Sequence, residues 1–186
     1  MRKLTATLEA AQGFSILEKD NYPGHIHNVQ SQVRESFEGA FRDILPDEDV
    51  SRYLADRGAI MLKVQWKPEG EKAGEFIGTI FDNVMVAGVS GAKAKTNPGA
   101  TLSTNRLCDY INALGVPYDC QVCGQTSTKK FVIEKGKYFC PNCGKPAKFD
   151  FDPETWTGKR AMLSVSVGAD NKGEPRNEID KVRPLA

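Results

Sequence analysis

The stretch Glu75-Phe-Ile-Gly-Thr-Ile-Phe-Asp-Asn-Val-Met-Val-Ala-Gly88 carries large apolar residues at both odd and even positions. Side chains alternate between the faces of a strand. Phe76, Ile80, Val84 and Val86 therefore share one face, and Ile77, Phe81 and Met85 share the other. A strand that is apolar on both sides belongs in a strongly curved sheet or barrel, or beneath a helix. Gly78 marks a point where such a strand can bend.

The segments on either side continue the pattern. Residues 59–67 alternate Ile60, Leu62, Val64 and Trp66 with Met61, Lys63 and Gln65, and the polar run 68–74 is a hairpin connection. Asp20-Asn-Tyr-Pro-Gly24 is a turn signal ahead of a strand at 25–33, with His25, His27, Val29 and Val33 on one side. Towards the other end, 160–168 alternates Ala161, Leu163, Val165 and Val167 with Met162, Ser164 and Ser166. A turn at 170–173 then leads into a closing strand at 177–183. Residues 104–114 predict a helix, capped at Ser103 or Thr104, lined by Leu107, Ile111 and Leu114, and stopped by Gly115. Two further helices are expected at 34–45 and 47–57. The first has a stripe of Phe37, Phe41, Ile44 and Leu45, and the second has Val50, Tyr53 and Leu54 facing inward. The second carries Asp47, Glu48, Asp49 and Asp56 against Arg52 and Arg57, a poor surface for a DNA groove, which argues against a helix-turn-helix.

The expected fold is mainly β with helical insertions. It is a curved five-stranded antiparallel barrel with a helix between its third and fourth strands, the order of an OB barrel. Residues 1–117 and 149–186 form the barrel, 34–57 is a helical insertion, and 118–148 is an inserted metal module. That module rests on Cys120-Gln-Val-Cys123 and Cys140-Pro-Asn-Cys143, each followed by a glycine. The spacing resembles a zinc ribbon, in which each hook supplies two thiolates to one tetrahedral Zn2+. A closed four-sulfur site has no open coordination position, so it argues for structure or recognition rather than metal-water chemistry. Cys108 reads as a small buried residue of the helix at 104–114.

Composition adds boundaries. Of 186 residues, 40% are hydrophobic and the formal net charge is +1, so disorder is excluded and no global polyanion bias exists. No apolar run is long enough to cross a bilayer and no targeting segment is recognisable, so the expected location is the cytoplasm, with no membrane partner. Charge is uneven. Between Cys120 and Lys148, Lys129, Lys130, Lys135, Lys137, Lys145 and Lys148 face Glu134 alone, among Phe131, Tyr138 and Phe139. The loop at 89–100 adds Lys93 and Lys95 but lacks the Gly-x4-Gly-Lys-Ser/Thr arrangement of a phosphate loop.

Several short pieces resemble the small single-stranded-DNA-binding proteins of phage and prophage replication or recombination. They are Tyr22-Pro-Gly24, Gly78-Thr-Ile-Phe-Asp82, Arg106-Leu-Cys108 with Leu114-Gly115, Gly158-Lys-Arg160, and Asn177-Glu-Ile-Asp-Lys-Val-Arg-Pro184. The resemblance implies a protein that coats or protects single strands in the host cytoplasm without making or breaking covalent bonds. The residues expected to do this are Lys93, Lys95, Lys129, Lys130, Lys135 and Lys137 on phosphates, with Trp66, Phe76, Tyr138 and Phe139 as stacking platforms. A hydrophobic strand edge would also allow two copies to pair as a homodimer. Two alternatives stand beside this reading. One is a zinc-ribbon accessory factor that docks replication, recombination or transcription proteins. The other is a nuclease gathering distant carboxylates such as Asp82, Asp109 and Asp150 around magnesium, which no spacing favours.

Overall fold

The computed structural model describes residues 16–55, 57–74, 76, 78–88 and 104–186. The expectations for Leu4, Leu8 and Phe14, for Ile77, for the Ser103 cap, and for Lys93 and Lys95 in the loop at 89–100 lie outside the described residues. In chain order the elements are β1 (Asp20–Arg34), β2 (Arg42–Asp43), α1 (Ser51–Ala55), β3 (Ala59–Pro68), β4 (Ile80–Gly88), α2 (Asn105–Leu114), β5 (Tyr118–Cys120), β6 (Thr126–Ser127), β7 (Val132–Glu134), β8 (Lys137–Phe139), β9 (Phe149–Asp150), β10 (Arg160–Ala169) and β11 (Pro175–Arg183).

Five long strands form one sheet in the order β11-β10-β1-β3-β4, with every neighbouring pair antiparallel. The sheet curls into an OB-like half-barrel, and β1 is where it turns. Residues 20–25 of β1 pair with β10 and residues 24–34 pair with β3, with a register shift between Ile26 and Asn28. A bulge of this kind bends a strand and tightens its twist. Gly24 lies in the overlap, where a Cβ would come 2.7 Å from Leu163 Cδ1, so a larger residue would force the Leu163 side chain to move.

The hollow of the curl is filled by Tyr22, Ile26, Leu62, Val64, Trp66, Ile80, Val84, Leu163, Val165, Ile179 and Val182, and by the apolar side of α2. That side consists of Leu107, Cys108, Tyr110, Ile111 and Leu114, and the helix ends at the left-handed Gly115, whose N–H donates to Ile111. Trp66 is wholly buried, which removes it from the expected stacking platforms. The reason is parity: Leu62, Val64 and Trp66 all face the hollow, and Lys63, Gln65 and Lys67 face out.

The helix expected at 34–45 does not form. β1 runs on through Arg34, the chain turns with Gly39 N–H donating to Ser36 C=O, and β2 pairs back on β1 through Gln32–Asp43 and Val33–Arg42. Gly39 weakens a helix by about 1 kcal/mol, and the free edge of β1 offers the backbone partners in its place. The apolar stripe is consequently not core, and Leu45 is 63% exposed. The second helix shortens to α1, with Asp49 rather than Asp47 accepting from Ser51 N–H at 3.0 Å. Its Tyr53 is buried as expected, and its Leu54 is exposed. Arg42, Glu48 and Tyr53 bind one another across this connection. The salt bridge to Arg42 and the phenol of Tyr53 hold the Glu48 carboxyl well below the usual carboxylate range.

The two ends of the sheet, β4 and β11, run in the same direction, and no ladder joins them among the described residues. A side chain spans the gap. Arg106 of α2 donates to Asp82 Oδ2 on β4 at 2.6 and 3.1 Å, and to the carbonyls of Ile179 and Asp180 on β11 at 2.7 and 3.2 Å. The same Asp82 oxygen accepts from Tyr110 OH, which itself accepts from Trp66 Nε1 at 2.9 Å. Burial pushes the Asp82 carboxyl up, against the opposing pull of Arg106 and Tyr110. Arg106→Ala is expected to lower stability by about 3 kcal/mol in urea unfolding, because it strands a buried carboxylate. Asp82→Asn in the same background should recover part of that loss, since no charge is then left without its partner.

Candidate nucleic-acid interface and metal centre

Each cysteine hook is a tight turn built in the same way. Cys120 C=O accepts from Gly124 N–H at 2.8 Å and Cys120 N–H donates to Gln125 C=O at 3.0 Å. Cys140 repeats both bonds with Gly144 and Lys145, each at 2.9 Å. Gly124 and Gly144 have φ of 71° and 70°, a conformation costly for any residue with a Cβ. The turns bring the Sγ atoms of Cys120, Cys123, Cys140 and Cys143 to within 4.8 Å of one another, with 3.9 Å between Cys120 and Cys143. Tetrahedral thiolates at metal–sulfur distances of about 2.3 Å would be separated by about 3.8 Å, so the cluster fits one chelated ion. Backbone N–H groups of Cys123 and Val122 lower the Cys120 thiol to about 7, while burial and the neighbouring thiols raise Cys123 and Cys143.

Short strands hold the hooks in place. β5 lies between β6 and β9, and β7 pairs with β8 across a turn at Lys135 and Gly136, both with positive φ. The module is docked on α2. Asn112 accepts from Phe131 N–H at 2.7 Å and donates to Phe131 C=O at 3.5 Å, Tyr138 OH donates to the Asp109 carboxylate, and Asn105 donates to Gly136 C=O at 3.4 Å. Rings connect its interior to the barrel. Phe131, Phe149, Phe151, Trp156, Tyr110 and Trp66 follow one another at centroid distances of 4.9, 6.0, 5.5, 5.5 and 5.9 Å.

This aromatic continuity decides where the expected platforms lie. Phe76 and Tyr138 are partly buried against the core, and Tyr138 is further anchored through its hydroxyl, where burial and Asp109 push the phenol up. Phe139 is half-buried in the hairpin and bridges Pro146. Lys129, Lys130, Lys135 and Lys137 are exposed. Asp82, Asp109 and Asp150 are not brought together. Each has its own partner, Arg106, Tyr138 and Gln121 respectively, and among the described residues only the four cysteines form a metal-sized group.

An aromatic residue absent from the expected platforms lies on the outside of β4. Phe81 is 50% exposed, and Lys63 Nζ on β3 sits 4.6 Å from its ring centroid. Registry places Gln65 opposite Phe81, Asn83 opposite Lys63, and the exposed Asn28 and Gln30 of β1 opposite Gln65 and Lys63. Gln65 is held by Thr79 Oγ1 at 2.8 Å. The result is an outer face with one ring, one ammonium and a row of amides, bordered by Lys67 and opening at β4 into a cleft of ≈ 610 Å³ along the seam. The signal for this face was the polarity of Lys63 and Gln65, which marks the side of β3 opposite Trp66.

No family model matches the sequence, and no curated protein or solved structure matches it either. Metal analysis of the purified chain is expected to return one tightly held ion per molecule. Cys120→Ser or strong chelation should then broaden the amide resonances of 118–150, while the five-stranded sheet keeps its dispersion.

Proposed function

We propose that this protein binds single-stranded DNA across the outer face of β1, β3 and β4 and protects it without covalent chemistry, with zinc as the structural ion of the four-cysteine site. The observation that carries the reading is the contact between Lys63 and the exposed ring of Phe81 on an OB-like half-barrel. A stacked base needs an exposed ring, and the phosphate beside it needs a cation. Here the two are adjacent on rigid strands. The amides of Asn28, Gln30 and Asn83 can donate to and accept from base edges along the same track. The resemblance of the Gly78–Asp82 and Asn177–Pro184 pieces to phage and prophage single-strand-binding proteins supports a role in replication or recombination. Zinc is the ion that a closed tetrahedral set of four thiolates selects.

The lysines of the β7–β8 hairpin have a smaller part in this proposal than the sequence alone suggested. Their neighbouring rings are committed to packing, with Phe131 buried and Tyr138 tied to Asp109. Fluorescence anisotropy with matched single-stranded and duplex DNA over a salt series tests the assignment. Preference for the single strand is expected, with Phe81→Ala weakening it by about 1–3 kcal/mol and Lys63→Glu flattening the salt slope by about one phosphate contact. Lys129→Glu with Lys130→Glu should change affinity by less than about twofold. Failure to bind any single strand at low salt would end the proposal.

A further inference from the structure

Val122, Val132 and Ile133 are 52%, 53% and 55% exposed, three aliphatic side chains on a module that is otherwise short of core. Two of them are consecutive on β7, and the two edges of this hairpin differ. The outer edge of β8 is covered, because Phe139 bridges Pro146 and Tyr138 C=O accepts from Ala147 N–H at 2.9 Å. On the β7 side, the Asn112 amide takes both the N–H and the C=O of Phe131.

Backbone groups alternate in direction along a strand, so the N–H and C=O of Ile133 point to the same side as those of Phe131. The two-residue turn agrees with this. It makes Glu134–Lys137 a hydrogen-bonded pair, hence also Val132–Phe139, and leaves Ile133–Tyr138 as the pair whose backbone groups face away from each other. Asn112 thus fills the first position on the edge as a strand would, and the next position has no strand beside it among the described residues. Lys129 and Lys130 precede this edge and Lys135 and Lys137 follow it, all exposed, with Glu134 as the one acidic residue of β7.

We propose that the β7 edge is a docking site for an acidic, extended segment of a partner protein. The segment's backbone adds beside Ile133 as a further strand, its aliphatic side chains cover Val132 and Ile133, and its carboxylates meet the four lysines. A peptide fits better than a nucleic acid. An added strand supplies the donor and acceptor that match the C=O and N–H of Ile133 side by side, whereas a phosphodiester offers acceptors alone, and this edge offers no free ring for stacking. The site is separate from the Phe81 face and does not depend on the single-strand reading.

The probe is a capped octapeptide, Glu-Val-Glu-Ile-Asp-Val-Glu-Ile, titrated into the isotope-labelled, metal-loaded full chain. Saturable amide shifts centred on 130–135 are expected. Binding should weaken at least about tenfold when alternate peptide nitrogens are methylated, since this removes the strand bonds and leaves the charge. Ile133→Asp should weaken it similarly while metal content and single-strand affinity stay unchanged. Equal binding of the methylated peptide would overturn the proposal in favour of simple charge attraction. Displacement of the peptide by an oligothymidylate that shifts the same amides would overturn it in favour of nucleic acid, and absence of any shift would overturn it outright. Should Ile133→Asp fail to fold, the methylated peptide still decides.

Discussion

One guanidinium bridges the two ends of the half-barrel. Its end strands β4 and β11 share no ladder among the described residues, and Arg106 reaches from α2 to a carboxylate on one and two carbonyls on the other. The same Asp82 oxygen also accepts from a phenol that is itself held by the indole of Trp66. A buried carboxylate is tolerable only when it is paired and hydrogen-bonded, and here one of its partners, Tyr110, is among the largest fully buried side chains. Charge, packing and closure therefore depend on the same few side chains.

Helix α2 connects this seam to the metal module. Leu107, Tyr110 and Ile111 pack into the barrel, Arg106 spans its opening, and Asn105, Asp109 and Asn112 hold the β7–β8 hairpin. The module has little apolar material of its own, so it uses its rings for cohesion. Phe131, Phe149 and Phe151 continue the stack that runs through Trp156 to Tyr110. A ring used for packing is unavailable to a ligand. This is why the exposed ring beside a cation lies on the barrel, at Phe81, rather than among the lysines.

Much of this was legible in the chain. Period-two alternation located four of the five long strands and the turn at 170–173 located the fifth, the Gly115 stop ended α2 correctly, and two Cys-x2-Cys hooks anticipated a four-sulfur cluster. Residues 20–24, by contrast, read as a turn but are the first stretch of β1 because they pair with β10. The helix expected at 34–45 failed because a spacing of Phe37, Phe41, Ile44 and Leu45 describes a stripe only if a core lies beneath it, and the competing partner was the free edge of β1, the strand that immediately precedes it.

The sequence by itself determined which residues alternate, where the chain must turn and which four thiolates can share an ion, because these follow from covalent geometry and neighbours a few positions apart. Only the tertiary structure decided which face of β4 is inside. Residues 75–88 are apolar on both sides, so no local signal separates Phe81, left outside with Lys63, from the residues that fill the hollow. Trp66 went inward and Phe81 outward because the curl of β1 and the position of α2 define a single interior, and that interior exists only once the distant strands have paired.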